Sequence, residues 1–340
     1  MTTKRHRGDR LAFRAIPTAI IQQIALYIPD SKDFFSYLSC FQDAQGSGTL
    51  GDLQHFLKLS TQLDPTDLWP KLRLRQLTPS LAPSVRCITR FFTTIFVFEV
   101  YDVRLLEQCL HPQNVVDLFA QPSHDGLCAW LTAPLSILPV QRITFHAPDN
   151  VVSDLFVEQL GNMPNLVSLT LKESYMDMDS MDPLFAFIQV SSKLTWLSLS
   201  SLYVSNRTDR RIAVSRRMGA RPPRGTLQGR NLEILTEWLR RCPVRLLMLG
   251  KWSMNQDDQP GAMALLHAIF ASSTLENIMI SCTPLCRFAA MTSFAVPNRM
   301  QSLDFIMVWL NDTAMASLAT GLRHSSITSV TFQFETIHTT

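Results

Sequence analysis

The feature that most limits how this chain can fold is a spacing. Leu166, Leu169 and Leu171 put apolar residues at positions 1, 4 and 6 of a short segment, and the spacing returns six more times. The other copies are Val140, Ile143, Phe145; Leu194, Leu197, Leu199; Val244, Leu247, Leu249; Leu275, Ile278, Ile280; Met300, Leu303, Phe305; and Ile327, Val330, Phe332. Successive copies begin 26, 28, 50, 31, 25 and 27 residues apart. A period of about 20 to 50 residues marks a repeat array in which each unit buries its apolar face against its neighbours. The one long interval, Leu194 to Val244, reads as a normal repeat carrying extra chain. Helical periodicity follows the copies at 152–160, 181–190, 232–241, 262–270 and 314–322, so strand and helix alternate. The expected fold class is α/β: a solenoid with a curved parallel sheet inside and helices outside.

Charge divides the chain unevenly. Residues 1–14 form a basic tail with five basic residues and one acidic, and Arg207 to Arg230 hold eight arginines against Asp209 alone. The remainder carries 18 basic and 26 acidic residues, a net −8. The arginine-rich stretch, 205–230, contains Pro222, Pro223 and three glycines and no aromatic residue that could stack on a base, so we expect a disordered insertion rather than a nucleic-acid site. Seven cysteines at irregular spacings without a CxxC motif suit buried thiols in a reducing compartment, the cytosol and/or the nucleus. No apolar run approaches a membrane span, and the weak signal-like start is broken by Arg14, Pro17, Gln22 and Gln23.

Ahead of the repeats, residues 15–74 read as a compact helical module. Pro17 suits a helix start, Ile20, Ile21, Ile24 and Ile28 recur at helical spacing, and Pro29 ends the run. Ser31 is placed to cap a second helix whose stripe is Phe34, Phe35, Leu38 and Phe41, and a third helix is expected through Leu53, Phe56 and Leu57. Three such short helices make little core by themselves and must lean on neighbours. Residues 75–138 are an irregular connection or degenerate repeats. Within them Phe92, Ile95 and Val97 have the repeat spacing.

The residues Ile16, Pro17, Ile20, Ile24, Ile28, Pro29, Phe34 and Leu38 resemble the F-box, a motif of about 30 residues. The chain departs from it at Ala19, where an acidic residue is common, and at Phe41 to Asp43, where a basic pair and Trp are usual. The segment from Asp67 to Leu72, with Trp69, resembles a Trp-containing segment often found downstream of F-boxes. The repeats, at 139–340, resemble leucine-rich repeats of the long ribonuclease-inhibitor type, although Ser174, Leu202, Trp252, Thr283 and Trp309 stand at or next to the usual Asn or Cys site. The resemblance implies an SCF-type ubiquitin-ligase adaptor. Its F-box would dock on a Skp-type adaptor of a cullin ligase, and its repeats would hold a target protein. The alternative is a repeat scaffold without a ligase role. As part of such a complex the chain is expected to be a monomer, with no membrane and no nucleic-acid partner.

No catalytic constellation is legible. The eight histidines are isolated in sequence, and Cys282 and Cys286 lack a second ligand pair. Gly219 to Gly225 lacks the Lys of a phosphate loop, and the acidic run Asp177, Asp179, Asp182 lacks the Gly and Glu of a calcium loop. We therefore expect no enzyme, cofactor or metal. Side chains alternate along a strand, so with positions 4 and 6 inward, positions 3, 5 and 7 face the open, concave surface. There the middle repeats bring together Trp196, Leu246, Met248 and Met279, an apolar patch between polar ends that include Lys172 and Asp304.

Overall fold

The computed structural model describes residues 17–42, 50–120, 135–146, 150–172, 174–200, 202–205, 226–250, 252–254, 258–281, 296–306 and 312–333. The protein is α/β, with parallel strands flanked by helices. It divides into two compact units, Met1–Asp117 with Ile137–Pro139, and Leu118–Ser136 with Val140–Thr340. Ile16, the insertion core at 206–225, and Cys282, Thr283, Cys286 and Trp309 lie outside the described residues.

The first unit begins with α1 (Thr18–Leu26) and α2 (Ser31–Ser39), continues through a 3-10 turn (Gly51–Leu53) into α3 (Gln54–Ser60), and reaches the short α4 (Pro65–Leu68). Each helix start follows from its local chemistry. Asp30 rather than Ser31 caps α2, accepting from the Asp33 N–H at 3.0 Å, and Asp64 caps α4 by accepting from the Thr66 N–H at 2.8 Å. Those bonds to Thr66 hold the Asp64 carboxyl below its ordinary range. The core forms where the rings meet. Phe34 stacks on Trp69 with centroids 4.5 Å apart, Phe56 meets Phe34 edge-on at 5.1 Å, and Phe92 lies 5.8 Å from Trp69. The three helices thus lean on a neighbour, and the neighbour is the Trp69 segment.

Beyond Trp69 come β1 (Arg73–Leu74), α5 (Ala82–Thr89), β2 (Thr94–Phe98), α6 (Val103–Cys109) and β3 (Val115–Ala120), within which the unit boundary falls. Strands β1 and β2 pair in parallel, with Arg73 opposite Phe96 and Leu74 opposite Val97. That register makes Trp69, Leu72 and Leu74 a copy of the spacing, aligned with Phe92, Ile95 and Val97, and Val115, Leu118 and Ala120 are another. Their starts and that of Val140 lie 23, 23 and 25 residues apart. The described part of the interval left irregular by the sequence, 75–120, is therefore strand and helix, and residues 121–134 lie outside the described residues. The Asn114 amide fixes the turn before β3 by donating to the carbonyls of Thr89 and Phe92, while its oxygen accepts from the His111 N–H.

The second unit repeats strand and helix: β4 (Val140–Phe145), α7 (Asn150–Leu160), β5 (Ser168–Lys172), β6 (Tyr175–Asp177), α8 (Met178–Val190), β7 (Trp196–Ser200) and β8 (Tyr203–Ser205). After the insertion follow β9 (Thr226–Leu227), α9 (Gly229–Arg241), β10 (Leu246–Gly250), β11 (Ser253–Met254), α10 (Gln259–Ala271), β12 (Asn277–Ser281), β13 (Ser302–Ile306), α11 (Asp312–Arg323) and β14 (Ser329–Gln333). The expected insertion, 205–230, thus runs too far at both ends, since Ser205 closes β8. Residues 226–230 form β9 and the first turn of α9, because Leu227 has an apolar site to fill and is fully buried.

The main strands run β4-β5-β7-β10-β12-β13-β14, all parallel. Their register is that of the seven copies: Leu169, Leu197, Leu247, Ile278, Leu303 and Val330 stand side by side. A backbone ladder enforces it at position 2, where the N–H of Val167, Thr195, Arg245, Glu276, Gln301 and Thr328 each donates to the position-2 carbonyl one repeat earlier, at 2.7–3.0 Å. Positions 4 and 6 are buried from Ile143 through Phe305, each such side chain stabilising the fold by about 1.5–3 kcal/mol. In the last copy Val330 is 41% exposed. Two indoles tie down carbonyls in and just before β7. Trp252 donates its indole N–H to the carbonyl of Leu199 at 2.8 Å, and Trp238, fully buried in α9, donates to that of Leu194 at 3.1 Å.

Candidate partner-binding surfaces

Two surfaces carry apolar side chains that their own unit leaves uncovered. The first is on α1. The helix is apolar nearly all round, so both sides attract packing, yet only Ile21 and Ala25 face the module core, and both are fully buried. Ile20 and Ile24 are 46% and 44% exposed, with Leu26 and Tyr27 exposed beyond them. Ile20, Ile24 and Tyr27 fall at i, i+4 and i+7, one stripe along the helix. Pro17 and Pro29 are exposed at its two ends, and Ile28 is half-buried.

Two residues assigned to adaptor docking are placed elsewhere. Phe34 and Leu38 are fully buried, Phe34 between Trp69 and Phe56, so they hold the module together and touch no partner. Leu26 and Tyr27 were missed. Their signal was available, since Tyr27 stands seven residues after Ile20 on the same stripe.

The second surface is the open side of the parallel strands in the second unit. Register puts Trp196 beside Leu246, and Met248 beside Met279, which in turn lies beside Asp304. Trp196 is 36% exposed, and Met248 and Met279 are half-buried. Leu246 differs from expectation. It is buried, although its register places it on the open side, so it supports the patch rather than forming its exposed part. Lys172 is exposed on β5. Asp304 accepts from the Ser302 hydroxyl through Oδ2, while its Oδ1 is buried with no hydrogen-bond partner among the described residues. Lys172 and Asp304 sit four strand steps apart, roughly 19 Å, with the apolar residues between them. The strip therefore has a cationic end, an apolar middle and an anionic end.

Cys40, Cys87, Cys109 and Cys242 are free thiols. Among the described residues no helix is long and apolar enough to cross a membrane. Compared with known protein families and with curated proteins, the sequence matches no family model and no curated protein.

Proposed function

We propose that this chain is a non-catalytic adaptor, with an F-box-like module that docks on the Skp-type subunit of a cullin ubiquitin ligase and a leucine-rich-repeat solenoid that holds a target protein. The observation that carries this reading is the exposed stripe Ile20, Ile24 and Tyr27 on a module whose core is already filled by Phe34, Phe56 and Trp69. An apolar ridge on a finished core gains from a protein partner what water denies it. The F-box resemblance falls on this same helix. Support for target binding comes from the Lys172 to Asp304 strip, which fits a segment with an acidic group, apolar side chains and a basic group in that order. The work takes place in the cytosol or nucleus, where the free thiols remain reduced.

Co-expression with a Skp-type adaptor tests the reading. The full chain co-elutes with the adaptor, and an Ile20→Asp, Ile24→Asp variant of unchanged circular dichroism does not. Failure of the unaltered protein to co-elute favours the scaffold without a ligase role.

A further inference from the structure

The structure brings together three residues that the sequence keeps apart: Asp52, His55 and Cys87. Gly51, at φ +54, adopts the left-handed conformation that glycine tolerates and opens the 3-10 turn carrying Asp52. His55 follows three residues later in the first turn of α3, and Cys87 comes from α5, which packs on α3. One ligand atom from each, a carboxylate oxygen, a ring nitrogen and a sulfur, lies within 4.8 Å of the other two. All three residues are half-buried, so an ion can reach them while most water is kept away.

The geometry points to a zinc site here. Magnesium and calcium favour oxygen-only shells, whereas zinc takes carboxylate, imidazole and thiolate together. Bound at about 2.0–2.3 Å from each atom, it needs them roughly 3.5 Å apart, an adjustment of at most about 1.3 Å in any pair. The surroundings already hold the ligands. Ser84 lies 3.1 Å from His55 Nδ1, leaving Nε2 for the metal, and Arg90 pairs with Oδ2 of Asp52, leaving Oδ1. Ser84 and Cys87 on α5 and Arg90 at its C-cap recur every third residue, with the ligand between two residues that orient the other ligands. A purely structural polar seam accounts for the Asp52–Arg90 pair and the His55–Ser84 bond. It leaves Cys87 idle, since among the described residues its thiol makes no side-chain hydrogen bond. On binding, the thiol proton passes to solvent and the thiolate takes the metal. The fourth position is open to water, and the ion fastens the Gly51 turn and α3 to α5.

The experiment uses the full chain, reduced and stripped with a chelator. Cobalt(II) at one equivalent gives the thiolate charge-transfer absorption, zinc displaces it, and zinc but not magnesium raises the melting temperature. Cys87→Ser and His55→Gln, each checked for folding by circular dichroism, abolish the absorption, and Ser84→Ala weakens cobalt binding about tenfold or more. The double variant Cys282→Ser, Cys286→Ser retains it. No absorption in the unaltered chain, its survival in Cys87→Ser, or its loss in the Cys282/Cys286 variant overturns the assignment.

Discussion

The indole N–H of Trp69 donates to the carbonyl of Ile28 at 2.6 Å, across 41 residues of chain. That carbonyl lies where α1 gives way to α2, so one side chain both stacks on Phe34 and satisfies the backbone of the junction. Replacing Trp69 by Phe keeps an aromatic ring and orphans the carbonyl, at a cost of about 1–3 kcal/mol. Replacing it by Ala costs about 3–5 kcal/mol. Urea unfolding followed by circular dichroism distinguishes the two, and a Trp69→Phe variant as stable as the unaltered chain would mean that the hydrogen bond contributes nothing.

The two faces of α1 respond oppositely to truncation. Ile21→Ala, on the buried face, destabilises by about 2–5 kcal/mol, while Ile20→Ala and Ile24→Ala each stay within about 0.5 kcal/mol. Melting temperatures of the three variants check this, and a large loss at Ile24 would place it in the core.

On the strand surface, Leu246→Ala acts on folding and Trp196→Ala with Met248→Ala acts on binding. The first costs about 2–5 kcal/mol of stability. The pair costs on the order of 2 kcal/mol of affinity for a captured target and little stability. Unfolding curves alongside target recovery give the comparison, and a stability loss in the pair without a loss of recovery rejects the assignment.

Burial pushes the Cys109 thiol up from about 9 to about 11, against the weaker opposing effect of Arg86. Below pH 9 the thiol is protonated whether the chain is folded or not, and its contribution is fully present. As pH rises from 9 to 11 the unfolded chain ionises first, and stability falls by about 1.4 kcal/mol per pH unit from this group. The difference between the unaltered chain and Cys109→Ala, measured by urea midpoint at pH 8 and pH 10.5, isolates it from other titrating groups. A difference that does not change with pH contradicts the shift.

The repeat register was legible because a strand projects burial directly onto sequence: Leu169 and Leu171 face inward, and Thr170 faces out. The copies at Trp69 and Val115 were not, since β1 has only two residues and Ala120 is a weak apolar signal at position 6. Helix α1 defeated periodicity for another reason. With apolar residues on every side, spacing cannot choose the face that packs. The same ambiguity put Phe34 and Leu38 among docking residues, because an apolar stripe suits a core and an interface equally. Leu246 shows that register fixes a side chain's direction but not its exposure. Asp52, His55 and Cys87 meet only in space, and no linear spacing announces a cluster assembled from two helices and a turn.

The tryptophans that tie down these carbonyls bear on how this array can change in length. An array of equivalent units gains or loses one by duplication or deletion, because every junction accepts every unit. Here the Leu194 carbonyl, just before β7, is keyed to Trp238 on the helix of its own repeat, and the Leu199 carbonyl in β7 is keyed to Trp252 of the next repeat. Deleting the repeat that begins at Val244 removes Trp252 and leaves the Leu199 carbonyl without its indole donor. Loss of that unit therefore orphans a buried carbonyl, at a cost of about 1–3 kcal/mol, which loss of a unit without such a tryptophan avoids.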